Sequence, residues 1–174
     1  PAIAFHADNK ENLKCLLDNG ADVNYVAVFY RGTALADACS TLKAEAVRNL
    51  LEAGASIDVP GDVTGKTLLD VTLAHCDNIY IPRAVSIAKM LLDAGASETE
   101  NTKEYVQKIG ERFEFFRENI SKDIVDELSM ALEEMYELFQ VPAVPRRIQH
   151  DGITRIAVKG TRWQEQYDEL WNML

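Results

Sequence analysis

The sequence is short of basic residues and cysteines and has no long apolar run, and each shortage excludes a class of protein. Only 18 Lys and Arg stand against 28 Asp and Glu, a net charge of −10. This balance argues against a nucleic-acid backbone as the main ligand, because phosphate contacts need clustered cations. No apolar stretch approaches the roughly 18–20 residues of a membrane span. Because 47% of the 174 residues are hydrophobic, the composition predicts a folded acidic protein.

The cysteines are too few and too scattered for a disulfide framework. Cys15, Cys39 and Cys76 are odd in number, and none belongs to a C-x-x-C pair. A reducing compartment is therefore expected. The first five residues lack the charged start and apolar core of a secretory signal, so the sequence predicts a cytoplasmic protein.

One phrase occurs three times along the chain. Two leucines are followed by an acidic residue, a variable residue, Gly and Ala at 16–21, 50–55 and 91–96. A second phrase, with Thr at its second position, occurs at 32–38 and 66–72. The glycines of the first two phrases are closer together than those of the last two, so an insertion of about seven residues is expected near 76–83.

Each of these units is expected to contain two short helices. The paired leucines end one helix, and the Gly takes the left-handed conformation that closes it. The Thr caps the next helix by accepting a free backbone N–H group. Because such a small helix pair cannot bury its apolar side alone, successive pairs must stack.

These phrases resemble the G-x-T-P-L-H and L-L-x-x-G-A-x-x-N phrases of ankyrin repeats. The resemblance covers about residues 1–99 and implies a mainly α, ankyrin-type helix-turn-helix solenoid of about three repeats. Its units lie at about 1–24, 25–58 and 59–99. The sequence departs from the family pattern at Ala34 and Leu68, which replace Pro, and at Ala36 and Asp70, which replace His.

Residues 100–174 resemble no known family, so their secondary structure is predicted from the spacing of their apolar residues. Apolar residues three and four apart predict helices over 102–120 and from about 122 to 140. The dipeptide at 151–152, Asp-Gly, predicts a β-hairpin near 146–158, and a terminal helix follows. The two long helices are expected to cap the open end of the array.

Motifs for catalysis and metal binding are lacking. Gly61 to Thr67 looks like a phosphate loop, but three residues separate its glycines where the Walker pattern needs four. The three histidines are far apart, and no H-x-x-H pair occurs. The adjacent His75, Cys76 and Asp77 point in different directions and make no triad. The sequence therefore predicts no enzyme, no cofactor and no metal.

The ankyrin resemblance implies a protein–protein interaction module that binds through finger tips and the inner helices of a concave face. The finger at 25–31 carries three aromatics and an Arg. The candidate partner-binding residues are Tyr25, Phe29, Tyr30, Arg31, Asp37, Asp62, Thr64, Asp70 and Tyr80. The aspartates would steer a protein partner that is basic at the contact. Neither nucleic acid nor a membrane is expected as a partner, and the oligomeric state is left open.

Other interpretations stay open beside this one. The inserted loop is either a plain surface loop or a partner contact anchored by Ile79 and Tyr80. A possible second patch consists of Arg146, Arg147, Arg155, Lys159 and Arg162. This patch would either pack on the acidic helices of 100–140 or contact an acidic partner or phosphate. The chain could also be an acidic inhibitor or immunity-type protein that neutralises a basic toxin or nuclease. The second alternative is a fragment of a larger enzyme with its active part at or beyond the C-terminus.

Overall fold

Helices dominate the computed structural model, which describes residues 2–27, 32–147, 150 and 153–173. The helices of this part of the chain are α1 (Ala2–His6), α2 (Lys10–Asp18), α3 (Ala34–Ser40), α4 (Ala44–Glu52), α5 (Leu68–Ala74), α6 (Ile81–Asp93), α7 (Glu100–Phe116), α8 (Lys122–Phe139) and α9 (Trp163–Met173). One 3₁₀ turn precedes α6 and another follows α7. The predicted mainly α class is confirmed.

The first eight helices form pairs that stack into two columns. Helices α1, α3, α5 and α7 contact one another in sequence and make the inner column. In the outer column, α4, α6 and α8 contact one another, and Lys10 of α2 forms an ion pair with Glu52 of α4 at 2.5 Å. Because each pair covers the apolar side of the next, one hydrophobic core runs through the whole stack.

The turns that end the outer helices have the geometry that the repeat phrase predicts. Gly20, Gly54 and Gly95 have φ values of 84°, 83° and 100°. In each turn the amide of the following Ala donates to the carbonyl of the first Leu of the phrase, at 2.9 to 3.0 Å. This is the hydrogen bond of a Schellman C-cap, and Gly adopts its left-handed conformation without steric penalty.

The inner helices begin at threonine caps, as expected. Thr33 accepts the N–H of Ala36 at 3.2 Å, and Thr67 accepts the N–H of Asp70 at 3.1 Å. Thr99, which follows Thr67 by one helix pair, starts α7 in the same way and forms a reciprocal capping box with the third residue of that helix.

Helices α7 and α8 occupy the place of a fourth helix pair. They pack on α5 and α6 respectively, as expected of helices that cap the array. The last turn of α8 repeats the earlier turns: Gln140 has φ 52°, and the amide of Val141 donates to the carbonyl of Tyr136 at 3.0 Å. The fourth pair therefore keeps the turn geometry although its sequence has lost the Gly.

A close approach between α7 and α8 depends on a glycine. A Cβ at Gly110 would lie 1.9 Å from the hydroxyl oxygen of Tyr136 and 2.9 Å from a methyl group of Val144. The missing side chain lets the Tyr136 ring pack against the middle of α7. Phe113 and Phe139 are fully buried beside this contact in the core of the fourth pair.

The predicted β-hairpin near 146–158 is wrong for the residues that the structure describes there. Positions 146, 147, 150 and 153–158 form no strand, while the Asp-Gly turn lies outside the described residues. Side chains hold this segment instead: Arg147 donates to the carbonyls of Phe115 at 3.1 Å and Trp171 at 2.9 Å. A two-stranded hairpin without a third strand is only marginally stable in water. The hydrogen bonds of Arg147 therefore determine the conformation of this segment in place of strand pairing.

The inserted residues near 76–83 form the 3₁₀ turn Asn78–Tyr80 and the start of α6. Arg112 of α7 ties this turn down, donating to the Cys76 carbonyl at 2.6 Å and to the Asp77 carboxylate at 3.0 Å. The insertion is thereby part of the contact between the third and fourth pairs, while the Ile79 side chain is exposed.

Candidate protein-binding surface

A groove of about 440 Å³ opens on the side of the inner helices α1, α3 and α5. We call it the concave groove. Its floor is made of small side chains and glycines, and its polar lining comes mainly from α3 and from the loop that precedes α5. The described residues that line it are Ala4, Phe5, Gly32, Thr33, Ala36, Asp37, Ser40, Thr41, Lys43, Gly61, Asp62, Val63, Val71 and His75.

Repeat register explains which positions of the helices face the concave groove. Asp37 on α3 and Val71 on α5 occupy equivalent positions of successive repeats, and both line it. Thr41 and His75 are equivalent in the same way and line it at the ends of the same two helices. The groove is therefore built from matching positions of neighbouring repeats, as stacking of similar units requires.

Two apolar side chains on the groove lining are open to solvent. Phe5 of α1 is 74% exposed and Val63 of the second finger is 67% exposed. Large apolar side chains that are exposed beside a concave surface are typical of binding sites, because a partner can remove their area from water. Neither residue is among those that the sequence predicts for the site.

The second finger, residues 61–66, is closed by hydrogen bonds around Asp62. The amide of Gly61 donates to the carbonyl of Lys66 at 2.7 Å, and the Asp62 carboxylate accepts the amide and the hydroxyl of Thr64 at 2.8 and 2.6 Å. The Thr64 hydroxyl is the main cause that lowers the pKa of the Asp62 carboxyl, with the backbone N–H groups and the Lys66 ammonium adding to it. Asp62 is thus an ionised group that also fixes the finger.

Close packing at the base of this finger requires a glycine. A Cβ at Gly61 would lie 2.7 Å from the carbonyl oxygen of Thr67 and 2.7 Å from a methyl carbon of Val71. The Thr67 backbone and the β-branched Val71 side chain cannot move easily. A larger residue at position 61 would therefore displace the finger relative to α5.

The first finger has the same closure as the second. The amide of Ala27 donates to the carbonyl of Gly32 at 3.1 Å, which is the bond that Gly61 forms with Lys66 in the next repeat. Asn24, directly before the first finger, accepts the amide of Ser56, which lies between α4 and the second finger, at 2.8 Å. The tip of the first finger, with the predicted site residues Phe29, Tyr30 and Arg31, lies outside the described residues.

Two further predicted residues lie outside the concave groove. Tyr25 is 54% exposed and lines a separate cleft of about 230 Å³ between α1 and the start of the first finger. Tyr80 is partly buried at the 3₁₀ turn, where the Arg83 guanidinium lies 5.2 Å from its ring centroid. The structure therefore brings Asp37 and Asp62 together in one groove and leaves these aromatics apart from it.

The expectation that Asp70 lies on the binding surface is wrong. Its side chain is buried, and its carboxylate accepts hydrogen bonds from the hydroxyls of Thr99 at 2.9 Å and Thr102 at 2.7 Å. The N-terminus of α7 covers this position, so the carboxylate joins two repeats and cannot contact a partner.

Charges in the concave groove are sparse and mixed in sign. Asp37 is exposed, and its carboxylate accepts no hydrogen bond from any side chain or amide of the described residues. Lys43 brings a positive charge to the same lining. The Nδ1 atom of His75 lies 2.9 Å from the carbonyl of Val71 and donates to it, since a carbonyl oxygen can only accept.

The second predicted patch is only partly paired with the acidic helices. Arg146 lies 3.7 Å from the Glu118 carboxylate, and Arg147 packs its guanidinium 4.3 Å from the ring centroid of Phe115. Arg155, Lys159 and Arg162 are exposed and form no ion pair with the acidic side chains that the structure describes. Packing on the acidic helices accounts for the first two of these residues alone.

One groove residue that the sequence analysis did not assign to the site could have been found from the repeat alignment. Val63 has the place in the second finger that Phe29, a predicted site residue, has in the first, so it could have been assigned by equivalence. Phe5, Lys43 and His75 carry no such signal, because their place in the groove depends on how α1, α3 and α5 stack.

Thiols, metal-ligand side chains and long apolar helices were considered in the described part of the chain. Burial raises the pKa of the Cys39 and Cys76 thiols to about 12, so neither is a nucleophile at neutral pH. Within the same ranges, no cluster of His, Cys, Asp and Glu has the arrangement of a metal site, and no helix could cross a membrane.

Similarity to known proteins is found in the structure and not in the sequence. No protein-family model matches the chain, and no curated protein matches its sequence. Among solved structures, the chain is similar to the human ASB11 ankyrin repeat domain, with 16% sequence identity, coverage of 97% of each chain and a TM-score of 0.40.

Proposed function

We propose that the concave groove binds an exposed segment of a protein partner. The observation that carries this proposal is the solvent exposure of Phe5 and Val63 on the lining of one groove, with a floor of small residues between α1 and the second finger. Burying two such side chains against a partner would contribute roughly 2–4 kcal/mol. A small floor admits a bulky apolar side chain of the partner between them.

The proposed segment carries a basic residue next to its apolar anchor. Asp37 and Asp62 supply two carboxylates to the lining, against one ammonium from Lys43. Asp62 is already bonded within its finger, so Asp37 is the carboxylate available to a partner. Phe29, Tyr30 and Arg31 at the tip of the first finger remain proposed contributors to the same contact.

Affinity purification followed by mass spectrometry would identify the partner, and matched variants would test the surface. Val63→Ser is expected to weaken binding at least about tenfold, because it removes an apolar contact and leaves a polar group in its place. Met130→Ser is the control: Met130 is similarly exposed, lies on α8 and does not line the groove. Equal binding by both variants would contradict the proposal.

Charge reversal tests the chemistry of the partner separately. Asp37→Lys is expected to weaken binding about tenfold or more if the segment is basic at this point. The variant should keep its melting temperature, because Asp37 is exposed and its carboxylate has no partner among the described side chains. Tighter binding by Asp37→Lys would show that the partner is acidic there and would overturn this part of the proposal.

The acidic inhibitor is the second candidate function, and the acidic composition of the α7–α8 region favours it. Residues 100–140 hold 11 acidic and 5 basic residues. A basic toxin or nuclease held by this surface would dissociate steeply as salt rises, because exposed charges are screened. A partner anchored in the concave groove would lose much less affinity, so a salt titration of the complex distinguishes the two functions.

A further inference from the structure

Helix α9 carries a row of aromatic side chains that are each more than half exposed. Trp163, Tyr167 and Trp171 are four residues apart and therefore lie on one side of the helix. They are 70%, 55% and 53% exposed. We call this row the aromatic face.

The aromatic face is attached to the rest of the molecule at one end. Trp171 stacks on Phe115 of α7 at a centroid distance of 6.4 Å, and Arg147 donates to the Trp171 carbonyl at 2.9 Å. The Tyr167 ring stacks on Trp171 at 6.1 Å with an interplanar angle of 14°. This attachment orients the row and leaves the Trp163 end free, which is unlike a helix packed into its own core.

Charges near the aromatic face are separated along the chain. Before the helix, Arg155, Lys159 and Arg162 are exposed and lack ion-pair partners among the described residues. Within the helix, every charged side chain is acidic, namely Glu165, Asp168 and Glu169. Arg162 thus places a positive charge just before α9, Glu165 follows in the first turn, and Asp168 and Glu169 lie further along the helix, where the Glu169 carboxylate also accepts the amide of Lys159 at 2.6 Å.

This charge pattern distinguishes among the surfaces that could cover aromatic rings. An anionic lipid surface or a nucleic acid strand would need cations along the helix, where this chain has carboxylates. A second copy of the same helix, placed antiparallel, would set Arg162 within about one turn of Asp168 and Glu169 of the other copy. A parallel arrangement would place like charges side by side.

We infer that α9 is a self-association element, which pairs antiparallel with α9 of a second copy of this chain. Tyr167 lies near the two-fold axis, and Trp163 of each copy packs near Trp171 of the other. The contact is isologous and therefore closes as a dimer. This inference is independent of the function proposed for the concave groove.

The exposed area indicates how strong such a dimer is. From the exposed fractions, the three aromatics offer about 400 Å² per copy, or about 800 Å² for the pair. Stable interfaces bury about 1,200–2,000 Å², so this one gives a weak and reversible dimer. Its dissociation constant is expected in the range of about 10 to 1,000 μM.

Sedimentation equilibrium over that concentration range tests the inference on the chain itself. The mass is expected to rise from the 19.5 kDa of one chain towards twice that value. Trp163→Ser should raise the dissociation constant about tenfold or more, because an interfacial Trp is a typical hot spot. Met130→Ser is the matched control: Met130 is also 70% exposed but lies on α8, and its variant should dimerise like the parent chain.

Tryptophan fluorescence gives a second measurement, because the only two tryptophans of the chain are both on α9. Their emission is expected to shift to shorter wavelength with the same midpoint as the mass. A chain that stays monomeric throughout, or a dimer that Trp163→Ser leaves unchanged, would overturn the inference. A monomer that co-sediments with vesicles of phosphatidylcholine and phosphatidylserine would also overturn it and identify lipid as what covers the face.

Discussion

Asp70 shows how a single residue joins two repeats. Its carboxylate accepts the hydroxyl hydrogens of Thr99 and Thr102, and both threonines belong to the capping box that starts α7. A buried carboxylate is tolerated only where hydrogen bonds replace its hydration, and here two hydroxyl donors do so. The contact fixes the N-terminus of α7 on the end of the third pair.

Asp70→Ala is therefore expected to lower the free energy of unfolding by about 2–3 kcal/mol, because the buried hydroxyl of Thr102 and the half-buried hydroxyl of Thr99 lose their acceptor. Asp37→Ala is the control, since Asp37 is an exposed aspartate on the neighbouring inner helix, and its loss should change stability by less than about 0.5 kcal/mol. Urea unfolding followed by circular dichroism measures both. Similar destabilisation of the two variants would show that the hydrogen bonds to Asp70 contribute nothing.

The place of Asp70 could not be predicted from its own sequence neighbourhood. The repeat phrase correctly placed Asp70 near the start of an inner helix. It did not predict which residues of the neighbouring helix would contact the Asp70 side chain. That depends on α7, whose position is set by stacking. The same holds for Phe5, which becomes part of the groove only because α1 packs beside α3.

Among the turns that end the outer helices, the turn after α8 is the least adapted to its conformation. Gln140 has φ 52°, a region where a side chain is strained and Gly is not. Gln140→Gly is expected to raise the free energy of unfolding by about 0.5–1 kcal/mol. Gln107→Gly, within α7, should instead lower it by about 1 kcal/mol, because it weakens an ordinary helical position. Thermal or urea denaturation should show that the two variants change the free energy of unfolding in opposite directions. A loss of stability in both variants would contradict the turn geometry.

Elements that are marked by characteristic residues in the local sequence were predictable, and elements that depend on distant contacts were not. Gly and Thr at the ends of the first repeats mark turns that the structure has. The fourth pair was hidden as a repeat because Gln140 replaces the marker Gly, although its two helices were expected from their periodicity. At 146–158, the Asp-Gly signal described a local turn, whereas contacts of Arg147 with distant carbonyls determine the segment.

At the scale of the whole molecule, the fourth pair is part of the core and α9 is not. Buried side chains of α7 and α8, such as Val106, Phe113 and Leu132, belong to the same hydrophobic cluster as those of the repeats. Helix α9 contacts α7 through the Trp171 ring and is joined to Arg147 through the Trp171 carbonyl, and its other described hydrogen bonds go to the segment that directly precedes it. The two parts should therefore differ in how much they stabilise the fold.

Two shortened chains test this difference. A chain of residues 1–147 is expected to melt within about 3 °C of the parent, since it loses little buried area. A chain of residues 1–99 should lose its cooperative transition, because the apolar sides of α5 and α6 become exposed. Differential scanning calorimetry measures both. A cooperative transition of parental temperature in the shorter chain would show that the first three pairs are stable alone.

The helices lengthen from one end of the stack to the other. The inner ones have 5, 7, 7 and 17 residues, and the outer ones 9, 9, 13 and 18. At 1.5 Å per residue, α7 is roughly 18 Å longer than α1. The stack therefore widens towards the fourth pair, so α7 and α8 present a longer surface to solvent than the helix pairs before them.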